Sequence, residues 1–281
     1  MSHESVRAHW TPLTLATIFG LGLGLCAPAA AADLTLDSAV RNPARSAKFV
    51  ARDEARHPLE ELAFFGVTPQ STVVEIWPGG GYWTEILAPL LHDHGGYYVA
   101  LQGKGGSEGA DAEADKLNAL FRGKVEADTA IYGKLTPTVF GLGQGEISPP
   151  GSADLIVSFR NLHNWLHEGF APDAFADFYR ALKPGGVLGL EDHRGQRDTP
   201  QDPKAEDGYV RQEYAIALAE KAGFVFAGSS EINANLKDTA NWPKGVWTLA
   251  PTFRLGDLDR AKYEAIGEAD NFVLKFRKPT Q

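Results

Sequence analysis

The sequence predicts an α/β protein built on a doubly wound, mostly parallel β-sheet. Three features lead there. Short apolar runs of strand length alternate with helical patterns from Thr72 onward. The first run, TVVEIW, passes through Pro-Gly-Gly-Gly into an amphipathic helix. Later, Lys183-Pro-Gly-Gly stops a helix and opens another strand. In such sheets ligands sit outside the carboxyl ends of the strands. The segments that follow each strand are therefore the ones to search.

Residues 37–66 read as helical, with Leu59, Leu62, Ala63 and Phe65 giving a partly apolar face and Gly66 and Pro69 ending the run. Thr72 to Trp77 is a buried strand. After the glycines, Trp83, Ile86, Leu87, Leu90 and Leu91 share one helix face, and Pro89 within it should kink or shorten the helix. Gly96 to Leu101 is the second strand, and a charged helix follows around Ala112 to Phe121. Leu135 to Leu142 is a weaker strand because of Pro137. Ala153 to Phe159 is a strong one. A helix from Ala174 to Leu182 precedes the strand Gly186 to Asp192. A helix from Val210 to Ala222 precedes the strand Phe224 to Ile232, and Asn271 to Lys278 is the closing strand.

The chain has 281 residues, 43% of them hydrophobic and 22% charged, enough apolar material for a core. It carries a net charge of −9 without a Lys/Arg cluster, which argues against nucleic-acid partners. The first segment has a basic start (Arg7, His9), an apolar run from Leu13 to Ala27, then PAAAAD. That is the layout of a secretory signal, with cleavage expected near Ala32. The run is shorter than the ~20 residues of a membrane span. The expected division is a signal peptide over 1–32, a helical segment over 33–66 and a main domain over 67–281. The expected location is periplasmic or secreted, with no stable membrane span after cleavage. Cys26, the one cysteine, lies in the signal, so thiol catalysis and Cys-ligated metals are excluded from the rest.

At the ligand edge, Glu75 ends the first strand with a carboxylate expected to face the cleft. Gly79 and Gly81 allow positive φ or close approach of a ligand. Arg160, Asn161 and His163 follow the fourth strand. His163 is a candidate general base, or a structural histidine bonding backbone. His163 and His167 are one helical turn apart, but no acid stands in ligand register, so no metal is expected. Glu191, Asp192, His193 and Arg194 end the fifth strand as a substrate-side candidate or a salt-bridged corner. His193 is the second candidate for proton transfer. An insertion at about 233–270 follows the sixth strand and starts on the ligand edge. Asn233, Asn235, Asp238, Trp242 and Trp247 offer contacts there, either roofing the pocket or packing as a surface extension. Before the first strand, Arg52, Asp53, Arg56 and His57 form a charged helix face or a cover for the site.

The glycine turn, Glu75-Ile-Trp-Pro-Gly-Gly-Gly81, resembles motif I of class I S-adenosylmethionine-dependent methyltransferases. FRNLHNWLHEGFAPDAFADFYRALKPGGVLGLEDH resembles the later half of the same fold, and the closing strand pair resembles its terminal hairpin. The likeness spans about Val67 to Lys278. WPGGGYWTEILAP, RHPLEELAFFG and SEINAN…WPKGVWTL together resemble exported bacterial proteins described as predicted methyltransferases. The resemblance implies a Rossmann-like, seven-stranded sheet with an antiparallel terminal strand, and S-adenosylmethionine as cofactor. Glu75 would contact the methionine amino group, while Gly79, Gly80 and Gly81 would line the cofactor beside Arg160. Two positions depart from the pattern. Trp77 replaces the first glycine, and Gln102 replaces the acid that binds the ribose.

The first expectation is thus a methyltransferase acting on a small molecule. The second is an exported, non-catalytic or repurposed binding protein of this fold, supported by Trp77, Gln102 and export away from the cytoplasmic cofactor pool. A nicotinamide oxidoreductase is disfavoured by the KPGG turn and terminal hairpin. The methyl acceptor and oligomeric state are not legible.

Overall fold

The structure, a computed structural model, describes residue 1 and residues 34–280. Apart from Met1, the expected signal segment lies outside the described residues, as does its cleavage site. The rest belongs to one compact unit, Asp33–Gln281. Among the described residues no helix is long and apolar enough to cross a membrane.

The strands are β1 (Thr72–Ile76), β2 (Gly96–Gln102), β3 (Thr136–Phe140), β4 (Ala153–Phe159), β5 (Leu182–His193), β6 (Val225–Ser230), β7 (Pro243–Val246) and β8 (Asn271–Arg277). Seven form one sheet in the order β3-β2-β1-β4-β5-β8-β6, with β7 apart from it. β1 to β5 pair in parallel. β8 runs antiparallel between β5 and β6. The doubly wound, seven-stranded sheet with an antiparallel terminal strand is as expected.

Both faces of the sheet are covered, so its central strands read as continuous apolar runs. Alternation along each strand sends Val73, Val99, Val157 and Val273 into one core. Val74, Ile156, Leu188 and Leu274 enter the other. The first core is closed by helices Pro58–Phe65 and Thr84–Leu91. The second is closed by Leu162–His167, Ala171–Ala181 and Gln212–Lys221.

Several boundaries differ from expectation for physical reasons. The N-terminal stretch is four short helices, Leu36–Val40, Ala47–Val50, Asp53–Arg56 and Pro58–Phe65. The break before the last falls at His57, whose φ of 40° precedes Pro58, because a residue before proline is pushed out of helical geometry. The charged helix runs further than expected, Glu108–Ala127, with Ser107 capping its start by accepting from Ala110 N–H. Pro89 sits inside Thr84–Leu91, which ends just beyond it. The KPGG turn is a bulge within β5: pairing jumps from Ala153–Leu182 to Leu155–Val187, with Gly185 at φ 81°. Trp77 lies outside β1, at φ 49°.

Gly189 in β5 gives the first prediction. A Cβ there would lie 2.6 Å from Cγ of Phe65, which is buried against the strand. Gly189→Ala should destabilise the fold by about 1–3 kcal/mol through overpacking. The measurement is thermal unfolding, where each kcal/mol lowers Tm by about 2–4 °C at this size. An unchanged Tm would mean that helix Pro58–Phe65 docks less tightly than described.

Candidate active site

The strand order reverses between β1 and β4, which makes the crevice beyond their carboxyl ends the expected ligand position. The glycine turn follows β1 there. Gly79 has φ 55° and open space where a Cβ would stand. Gly81 has φ 84°, with Lys124 Cδ 3.0 Å from its would-be Cβ, and Gly80 lies against Phe49. Gln102 ends β2, and its backbone N–H and C=O bond the Asn118 amide at 3.2 and 2.8 Å. Asn161 Nδ2 donates to Ile76 O at 3.1 Å and to Ser158 Oγ at 3.3 Å, tying the ends of β1 and β4 together. Trp77, Pro78, Gly79, Gln102, Asn161 and Asn164 are among the residues around a cavity of about 160 Å³.

Trp77 does not block the turn from above. Its indole turns into the core, donates from Nε1 to Phe140 O at 2.8 Å and packs on Phe140, Trp165 and Phe170. A tryptophan in the left-handed region costs about 1–3 kcal/mol, which this burial offsets.

Glu75 corrects an expectation. Alternation puts it on the face under helix Thr84–Leu91, where it is 1% exposed and does not face the cleft. Its carboxylate accepts from Thr84 Oγ1 at 2.8 Å and from the Tyr97 hydroxyl, and among the described residues Oε1 has no hydrogen-bond partner. Burial pushes the Glu75 carboxyl up to about 7 against the pull of the Tyr97 and Thr84 bonds. It supports the start of the helix from beneath.

His163, on the helix after β4, and Asp192 of β5 come together. His163 Nδ1 bonds Asp192 Oδ1 at 2.9 Å, and His163 N–H donates to Oδ2 at 2.9 Å. Burial alone would raise the Asp192 carboxyl, but the charge and hydrogen bonds of His163 outweigh it and hold Asp192 below the usual range. His193 lies beside His163, ring centroids 5.3 Å apart, with Nδ1 2.7 Å from Asn271 Oδ1. Burial brings the His193 imidazolium down to about 3, so this ring is neutral. Trp247, from the insertion, meets His163 edge to face at 6.1 Å. His163, Asp192 and His193 offer metal-ligating atoms within 4.8 Å of one another. The acid missing near His163 in sequence is thus supplied by β5. In this geometry both Asp192 oxygens already accept protein N–H groups.

A second cluster lies on the other face of β5. Arg160 has φ 61° and turns away from the cavity. Its Nη1 donates to Glu268 Oε2 at 2.6 Å, and Nε is 3.7 Å from Glu191 Oε2. Arg52 donates to both Glu268 oxygens, at 2.6 and 2.8 Å. Asn233 Nδ2 donates to Glu61 and Glu191, and Oδ1 bonds His57 Nδ1.

The remaining candidates hold the insertion together. Asn235 Nδ2 donates to Ile266 O and Glu268 O, and Trp242 Nε1 to Asp238 Oδ1. Arg194 pairs with Glu231 and Asp270. Val246, Leu249 and Tyr263 give this region a small core of its own. Sequence reasoning missed Glu61, Glu268 and Asn271. Glu61 did carry a signal, since it interrupts the buried face formed by Leu62 and Phe65.

A parallel sheet reversing at β1/β4, a glycine turn at that reversal and an antiparallel strand beside β5 define the class I methyltransferase fold. Solved structures of that class match it. A SAM-dependent methyltransferase from Aquifex aeolicus matches with a TM-score of 0.51 at 16% identity, over 81% of this chain and 92% of that one. The [4+2]-cyclase SpnF matches with 0.51 at 15%, over 81% of each. Phosphoethanolamine N-methyltransferase 2 of Haemonchus contortus, solved with phosphomonomethylethanolamine and S-adenosylhomocysteine, matches with 0.51 at 15%, over 87% of this chain and 61% of that one. At these identities the likeness is one of fold. No protein-family model and no curated protein matches the sequence.

Proposed function

We propose that this protein is an exported S-adenosylmethionine-dependent methyltransferase acting on a small molecule. The supporting observation is His163, fixed by Asp192 at the carboxyl edge of the sheet. With Nδ1–H donated to Asp192, Nε2 keeps its lone pair for the acceptor's proton. The His163 ring is largely buried, with Trp247 edge to face against it. The cofactor supplies an electrophilic methyl group when bound. Gln102, Asn161 and Asn164, with the open side of Gly79, suit the hydrogen-bonding groups of a nucleoside. The cavity of about 160 Å³ is below the ~300 Å³ at which drug-sized ligand pockets begin. Full engagement therefore requires the segments around it to move apart. The proposed location and substrate size have separate supports. The first rests on the segment before Asp33, the second on the enclosed position of His163.

Calorimetry on residues 33–281 with S-adenosylmethionine and S-adenosylhomocysteine tests this reading. Saturable heat with either ligand supports it; no heat at millimolar ligand ends it. A second reading is a repurposed fold that binds another small molecule, favoured by the small cavity and the filled position of Trp77. The likeness to a cyclase shows that the fold also carries other chemistry. Mass spectrometry of ligands retained through gentle purification favours this reading if it finds something other than those two nucleosides.

A further inference from the structure

Glu61 and Glu191 are fully buried carboxylates from different elements, and one amide serves both. Asn233 Nδ2 donates to Glu61 Oε2 at 2.8 Å and to Glu191 Oε1 at 3.2 Å. Among the described residues, Glu61 Oε1 and Glu191 Oε2 have no hydrogen-bond partner. Two like charges within reach of one nitrogen, away from water, disfavour double ionisation.

Asn233 stands at the start of the 233–270 insertion and Glu268 near its end. Asn233 is held by the carboxylate pair, and Glu268 by Arg160 and Arg52. Between them, Trp247 rests on His163. The insertion is thus fastened at both ends over the carboxyl edge of β4 and β5. The two fastenings differ in kind. At Glu268 opposite charges meet; at Asn233 two acids meet.

We propose that Glu61 and Glu191 form a proton-binding site that latches the insertion over the candidate active site, closed when the pair carries its proton and released when it does not. This does not depend on the methyl-transfer reading.

The groups around the pair come from several elements. Among the described residues Glu61 meets Glu191 and Asn233 with no cation bonded to it, so burial first and Glu191 second push it well above the carboxylate range. For Glu191, burial is the largest influence. Arg160 opposes it, Glu268 and Asp192 add to it, and the result is about 7. His57 bonds the far side of Asn233, and Arg56 lies 3.7 Å from Glu268. His163 and His193 bond Asp192 on the opposite face of β5. Both acids titrate higher when closed than when exposed, so closing takes up protons. Closure is favoured as pH falls through about 7, changes little below the ordinary carboxylate range, and is lost as pH rises.

Amide exchange of residues 233–270, corrected for intrinsic rates, tests the latch between about pH 5.5 and about pH 8.5. Wild type should open with rising pH, by up to about tenfold per pH unit near neutrality for one proton. Glu61→Gln/Glu191→Gln should give a flat profile. Each single variant should lower the midpoint, because its remaining acid has lost its like-charged neighbour; this keeps the test alive if the double variant unfolds. His57→Gln should keep the wild-type profile. A flat wild-type profile, a pH-dependent double variant or a flat His57→Gln profile would each overturn the proposal.

Discussion

Asp192→Asn is expected to lower the turnover of the proposed methyl transfer by about 10²–10⁴-fold, the usual contribution of a positioned general base. Asp192 accepts from both the ring and the backbone of His163. An amide there can offer N–H to Nδ1 instead. The proton then moves to Nε2, and the lone pair that would take the acceptor's proton is gone. His163→Gln should cost a similar factor, and the double variant little more than either, since the two residues act as one unit. Single-turnover rates measure this with cofactor saturating. Cofactor affinity should be nearly unchanged, because neither side chain lines the cavity by the glycine turn. If the double variant transfers methyl groups at the wild-type rate, His163 is structural.

The second large effect concerns stability. Glu268→Ala should cost about 3–5 kcal/mol, the range for removing one partner of a buried charge pair. Only 10% of the Glu268 side chain is exposed, and it bonds Arg160, also 10% exposed, and Arg52 at 24%. Truncation leaves Arg52 without its carboxylate and Arg160 with Glu191 alone, 3.7 Å away. Urea denaturation checks this. A loss below about 1 kcal/mol, the range of exposed pairs, would show that water reaches the cluster.

The sheet was legible because covering both faces forces unbroken apolar runs such as Thr72 to Ile76 and Ala153 to Phe159. The breaks in the N-terminal stretch were less so, although Pro58 marks the last of them. In the site, His163 and Asp192 could be named separately. Their pairing depends on β4 and β5 lying side by side with Phe159 opposite Glu191, which is a property of sheet register. Glu75 was misplaced for a related reason: which face a strand residue takes is fixed by what packs on it. Glu268 was invisible, because it meets Arg52 across 216 positions of sequence and sits in an insertion without periodicity. Trp77 showed itself as a departure from pattern, but the direction of its ring depends on Phe140 and Trp165.

The position of β8 has a consequence for how the protein comes to be folded. It lies between β5 and β6, bonded to both, yet it is the last of the described strands to be synthesised. Until residues 271–277 are available, β6 has no neighbour and β5 has an open apolar edge. The sheet therefore cannot zip up progressively behind the ribosome. Its final closure joins residues 43 or more positions apart, from the Ser230–Val273 pair upward.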